Sequence, residues 1–103
     1  MNKGEFIDRL ADKTSATKKE ARELLDSVLD LIQDTLLQGD EVKLVGFGKF
    51  AVRARKASSR INPQTKLPIE VEAKVVPLFR PGKELKRQVE KKLKVTSKGV
   101  AKV

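Results

Sequence analysis

The sequence predicts an α+β chain in which two amphipathic helices precede a small antiparallel sheet, an extended two-stranded ribbon and a short basic helix. Three observations predict it. Apolar residues recur at helical spacing up to Gly39 and then alternate singly from Val42 onward. An Asn62-Pro63-Gln64-Thr65 turn lies midway between two extended, basic flanks. The second helix also carries an apolar arc too wide for one neighbour to cover.

Each element has a local cause. Asn2 stands three residues before Glu5, an arrangement that satisfies free amides at a helix start. Phe6, Ile7, Leu10 and Ala11 follow at helical spacing, so residues 3–13 form a short amphipathic helix. Thr17 and Glu20 repeat the capping pattern, and Gly39 closes a second helix about 30 Å long. One of its stripes holds Leu24, Val28 and Leu31; the next holds Leu25, Leu29, Ile32 and Leu36. The first helix covers one side, and a second copy of the chain is the economical cover for the other.

Val42 and Leu44 then lead into Gly46-Phe47-Gly48. Beyond the turn, Phe50, Val52 and Ala54 point one way while Lys49, Ala51, Arg53 and Arg55 point the other. The apolar face fades after Ala54, so the strand is expected to leave the body there. With a tip at Pro63 and Gln64, Arg53 would face Lys74, Arg55 would face Glu72 and Ala57 would face Glu70. The arm would reach about 30 Å and be marginal without a surface to rest on. Pro77 marks an edge of the returning strand, and Pro81-Gly82 opens a third helix near Lys83 with Leu85, Val89 and Leu93 as its apolar stripe. Phe47, Phe50 and Phe79 are expected in the core. The lysine-rich residues 93–103 are expected to be a disordered tail.

Charge narrows the function. Residues 1–40 hold six basic and nine acidic side chains, net −3, whereas residues 41–103 hold seventeen and five, net +12. Such a split favours a polyanion partner for the C-terminal two-thirds. The chain has no Cys and no His, which removes thiolate metal sites, Cys nucleophiles and His general bases. No enzyme activity, cofactor, metal or small-molecule substrate is expected. No apolar run is long enough for a membrane span, and the N-terminus lacks an apolar signal core, so neither membrane insertion nor export is expected.

The series Met1-Asn2-Lys3, Ile7-Asp8, Gly39-Asp40, Val45-Gly46-Phe47-Gly48, Phe50, Asn62-Pro63-Gln64-Thr65 and Pro81-Gly82-Lys83-Glu84-Leu85-Lys86 resembles the bacterial HU/IHF family of nucleoid proteins over residues 1–92. The resemblance implies an intertwined α+β dimer with a helical base (1–40), a small antiparallel sheet and two extended β-ribbon arms (41–80), and a C-terminal helix (81–92). It implies sequence-tolerant binding, wrapping and bending of double-stranded DNA from the minor groove by a homodimer, in a cytoplasmic, nucleoid-associated setting. Pro63 would be the wedge between base pairs, as apolar side chains are in minor-groove architectural proteins. Ile61 and Lys66 stand where the family often has Arg and Gly.

The candidate DNA-binding residues are Arg53, Arg55, Lys56, Arg60, Ile61, Asn62, Pro63, Gln64, Lys66 and Lys74 on the arm, and Arg80, Lys83 and Lys86 at the start of the third helix. Three other readings remain open on the residues alone: a site-specific bending factor of the same family, a heterodimer with a related chain, and a structural protein that binds RNA or an anionic surface.

Overall fold

A computed structural model describes residues 1–103. The chain divides into two compact units, Met1–Gln38 and Gly39–Val103.

The first unit is a pair of helices, α1 (Lys3–Thr14) and α2 (Lys18–Leu37). Both start as the capping patterns require. The Glu5 amide donates to Asn2 Oδ1 at 2.9 Å, and the Glu20 amide donates to Thr17 Oγ1 at 3.1 Å. Ser15 ends α1 in the left-handed region at φ 55°. Ile7, Ala11 and Ala21 form the buried contact, with Leu10 and Leu25 packed against it. The two alanines present no bulk, so the helices approach closely. Lys3–Asp26 (2.7 Å) and Lys18–Asp8 (3.4 Å) flank the seam as exposed ion pairs, each worth under about 1 kcal/mol.

The two apolar stripes of α2 have different surroundings. In the second, Leu25, Ile32 and Leu36 are half-buried while Leu29 is 45 % exposed. Leu24, Val28 and Leu31 are 58, 45 and 69 % exposed, an uncovered row of three large side chains.

In the second unit β1 (Val42–Leu44), β2 (Gly48–Arg55) and β5 (Lys74–Pro81) form an antiparallel sheet in the order β1-β2-β5. Pro77 sits on β5, an edge strand, where a missing amide donor is tolerated. Between β2 and β5 run β3 (Ser58–Ile61) and β4 (Pro68–Val71), paired only with each other. Helix α3 (Lys83–Lys92) follows, and a short hairpin of β6 (Leu93–Thr96) and β7 (Gly99–Lys102) completes the chain.

Phe79 packs between Phe47 (centroids 5.3 Å apart) and Phe50 (4.8 Å). This cluster explains Gly48: a Cβ there would lie 2.6 Å from the Phe79 ring and 2.7 Å from the Arg80 carbonyl oxygen. The ring can turn aside, but the backbone oxygen cannot. Gly48→Ala is therefore expected to cost about 1–3 kcal/mol, read as a lower urea midpoint at fixed protein concentration. An unchanged midpoint would show that the strands separate freely at this point.

Two expectations are corrected. Arg55 pairs with Lys74, not Glu72; Arg53 faces Val76; and Glu70 lies opposite Ser59. The ribbon is displaced by two residues because its tip is a six-residue loop, Asn62–Leu67, rather than a turn centred on Pro63 and Gln64. The Asn62 amide donates to the Leu67 carbonyl at 2.9 Å, and the Lys66 amide donates to the Asn62 carbonyl at 2.7 Å. Lys66 thus belongs to the loop and not to the returning strand. Residues 93–102 are a hairpin rather than a disordered tail: Leu93 and Val95 alternate with polar residues, Val100 opposes Val95, and Ser97-Lys98-Gly99 supplies the reversal.

Candidate nucleic-acid interface

The register of β2 on β5 sorts side chains by charge. Lys49, Ala51, Arg53 and Arg55 share one face with their partners Arg80, Leu78, Val76 and Lys74. The opposite face carries Phe50, Val52 and Ala54 with Phe79, Pro77 and Val75. Strand β1 adds Lys43 directly across from Lys49. Lys43, Lys49 and Arg80 therefore form one row across all three strands, and Arg55 faces Lys74 further out.

Like charges directly opposite each other destabilise a sheet. Here only Glu41 offsets them, 3.4 Å from Lys49. None of the chain's four ion pairs involves an arm residue. The row borders a concavity of about 420 Å³ whose lining includes Glu41, Lys43, Lys49, Arg80, Gly46 and Gly48. A surface that departs from a local rule with so little internal compensation is expected where an external partner completes it. Lys43 and Lys49 were not among the residues singled out from the sequence. The alternation of Lys49 with Arg53 was a signal for one of them; the other depends on pairing between strands.

The arm continues the same register. Arg55↔Lys74 and Ser58↔Val71 keep one offset, so no residue is gained or lost across the break at Lys56-Ala57 and Glu72-Ala73. Lys56 stands exposed at that break. On β3, Arg60 pairs with Ile69 and Ile61 pairs with Pro68, placing Arg60 and Ile61 on opposite faces.

At the tip, Asn62 builds the loop. Its Oδ1 accepts from the Gln64 amide at 2.8 Å and from the Thr65 amide at 3.4 Å. Pro63 and Gln64 are thereby held in the outgoing half of the loop, exposed. Ile61 and Leu67 flank them at 72 and 63 % exposure, so the tip is apolar around its proline. Lys66 adopts φ 57°, a left-handed conformation that costs a residue bearing a Cβ about 1–2 kcal/mol. Such strain is characteristic of functional loops.

Helix α3 is preceded by Gly82 at its N-cap, which offers no side-chain cap. Its amide donates to the Phe47 carbonyl at 2.9 Å, joining the helix start to the β1–β2 turn. The free amides of the first turn, with Arg80, Lys83 and Lys86 around them, make an anion-attracting end. Arg87 is partly engaged by Glu84 at 3.6 Å. The candidate residues thus fall into three groups: a basic sheet face, an apolar-tipped arm and the start of α3.

No group of metal-ligating side chains occurs in the chain, and no helix is long and apolar enough to cross a membrane. Comparison with known proteins gives a consistent result. The model of the family described as "Bacterial DNA-binding protein" matches residues 1–90. DNA-binding protein HU of Thermotoga maritima is 46% identical over 89 residues, spanning 86% of this chain and 99% of that relative. DNA-binding protein HU 1 of Bacillus subtilis is 48% identical over 89 residues, spanning 86% and 97% respectively. Among solved structures, HU from an Anabaena HU–DNA cocrystal matches with a TM-score of 0.79 at 45% identity, covering 86% of this chain and 97% of that one.

Proposed function

The chain belongs to the bacterial DNA-binding protein family that includes the HU proteins, and from that premise we propose that it is an architectural protein that grips and bends duplex DNA as a homodimer, with little sequence preference. The observation that carries the reading is the row of like charges on the sheet and arm, offset by Glu41 alone. Arg55 opposite Lys74, and Lys43 beside Lys49 beside Arg80, repel one another in the free chain. Each becomes favourable on a phosphate backbone, whose contacts provide sequence-independent affinity.

In this reading Arg53, Arg55, Lys56, Arg60, Lys66 and Lys74 neutralise phosphates along the arm, and Arg80, Lys83 and Lys86 do so at α3. Asn62 and Gln64 hold the tip at the groove floor, and Pro63 enters a base step from the minor groove. A proline suits that position because it buries no unpaired amide. Ile61 stands beside it as apolar surface where a basic contact would otherwise fall. Unstacking costs a few kcal/mol, offset by the extra surface that bent DNA meets. The helical segment 1–40 is the dimerisation base, with the open Leu24–Val28–Leu31 stripe against its counterpart. The protein acts at the nucleoid in the cytoplasm and carries no catalytic role.

Competition among linear, nicked and pre-bent duplexes tests the function directly. Tighter binding to the pre-bent and nicked forms, falling steeply with salt, is expected; equal or better binding to A-form RNA would displace the proposal. Pro63→Ala tests the wedge. Cyclisation of a short duplex promoted by the protein should fall about tenfold or more, the equivalent of at least about 1.4 kcal/mol of bending, while affinity changes less. Unchanged cyclisation would remove Pro63 from the mechanism.

A further inference from the structure

The family match ends at residue 90, and the fold continues past it. Helix α3 runs directly into the β6–β7 hairpin, whose two-residue reversal at Ser97-Lys98 is followed by Gly99 at φ 118°, a backbone that residues with a Cβ rarely adopt. The Val103 amide donates to the Lys92 carbonyl at 2.8 Å, fastening the chain end to the helix end. Val95 and Val100 oppose each other, 91 and 68 % exposed; a β-branched cross-strand pair of this kind fixes the register.

Charge gives the hairpin its direction. Residues 91–103 contain five lysines and no Asp or Glu, and residues 80–103 contain nine basic side chains against two acidic ones. Lys94 lies opposite Ala101, Lys102 lies opposite Leu93, and Lys98 sits in the reversal. The lysines are thus distributed round both faces and the tip, so the hairpin presents positive charge in every orientation. A two-stranded ribbon this short is marginal in water, and lysine repulsion weakens it further until an anionic surface relieves it.

We propose that the C-terminal hairpin is a second DNA-contacting element, holding the phosphate backbone of duplex DNA beyond the stretch engaged by the arm and α3. This rests on the DNA-binding reading above. Duplex DNA is favoured because the hairpin follows directly on α3, whose first turn carries Lys83 and Lys86 just beyond Arg80, within one strongly net-positive stretch. The segment has no aromatic ring to stack on single-stranded bases and is a ribbon, not the amphipathic helix of a membrane-surface element. A dimer would carry two such hairpins and occupy a longer footprint than its arms alone require.

The test uses the full chain and a Lys94→Gln, Lys98→Gln, Lys102→Gln variant. Affinities are measured on duplexes of increasing length over a range of salt, alongside cyclisation. The variant should show a log–log salt slope shallower by about 2–5, at about 0.9 per lost phosphate contact. It should also saturate at a shorter duplex and promote cyclisation as before. Replacing the same lysines by Arg should restore both the slope and the length dependence. An unchanged slope and length dependence overturns the proposal, as does a slope change on A-form RNA alone. Self-association of the DNA-free protein that Val95→Lys abolishes would assign the hairpin to a second copy instead. Wild-type protein that binds no duplex DNA would bring down the functional reading; wild-type binding with an unaltered slope in the Gln variant removes only the hairpin's role.

Discussion

Replacing Arg53, Arg55 and Lys74 together by Gln should lower the log–log salt slope of duplex binding by about 5, because a dimer loses six phosphate contacts at about 0.9 each. At 50 mM salt the variant should bind at least about a hundred-fold more weakly, and the gap should narrow as salt rises. These three side chains are the basic outer part of one sheet face, two of them directly opposed. Their removal should leave folding intact and even relieve it slightly, since the Arg55–Lys74 repulsion, worth about 0.2–1 kcal/mol, disappears. The combination of weaker binding with an undiminished unfolding midpoint distinguishes a surface shaped for DNA from one needed for stability. A slope equal to wild type would mean that the arms grip with a different face, and the charge-sorting argument would fail with it.

How far the fold could be read from the residues depends on how local each cause is. The Asn2–Glu5 and Thr17–Glu20 caps act within one helical turn, so the sequence specifies both helix starts and the structure places them there. The switch from helical to alternating spacing after Gly39 is equally local. The departure of the ribbon from the sheet followed from the fading apolar face after Ala54, and β2 ends at Arg55. Arm register was a different problem. It depends on Lys66 taking a left-handed conformation, one that its side chain disfavours and that nothing in its immediate neighbours announces. That single choice widens the loop to six residues and moves every cross-strand pair by two.

The site was half legible for the same reason. Arg53 and Arg55 were visible as members of one face, because alternation along a strand is local. The Lys43–Lys49–Arg80 row was not, since it exists only through pairing between three strands distant in sequence. The C-terminal hairpin was obscured by composition: five lysines in thirteen residues argue for a solvated tail. Against that, a Val95–Val100 pair and one glycine at positive φ were enough to close a ribbon.

Val28→Asp should abolish the dimer, and with it both folding at micromolar concentration and DNA binding. Among apolar side chains only Ile7, Ala11 and Ala21 are buried within one chain, and burying a large aliphatic side chain contributes only about 1.5–3 kcal/mol. That is too little to hold a helical base by itself, while Leu24, Val28 and Leu31 lie uncovered along α2. In a two-fold dimer one substitution places two carboxylates in the apolar contact, each costing on the order of 3–5 kcal/mol when left unpaired. The dimer dissociation constant should then rise by more than about 10⁴-fold. Because obligate homodimers often have no stable folded monomer, helical circular dichroism should fall together with the sedimenting mass. Gln33→Asp is the matched control. It adds the same charge about 140° further round the helix, at an exposed polar position, and should leave mass and helicity as they were. If Val28→Asp remained a dimer of ordinary stability, the open stripe of α2 would not be the subunit contact. The two arms would then have no shared base from which to close on one duplex.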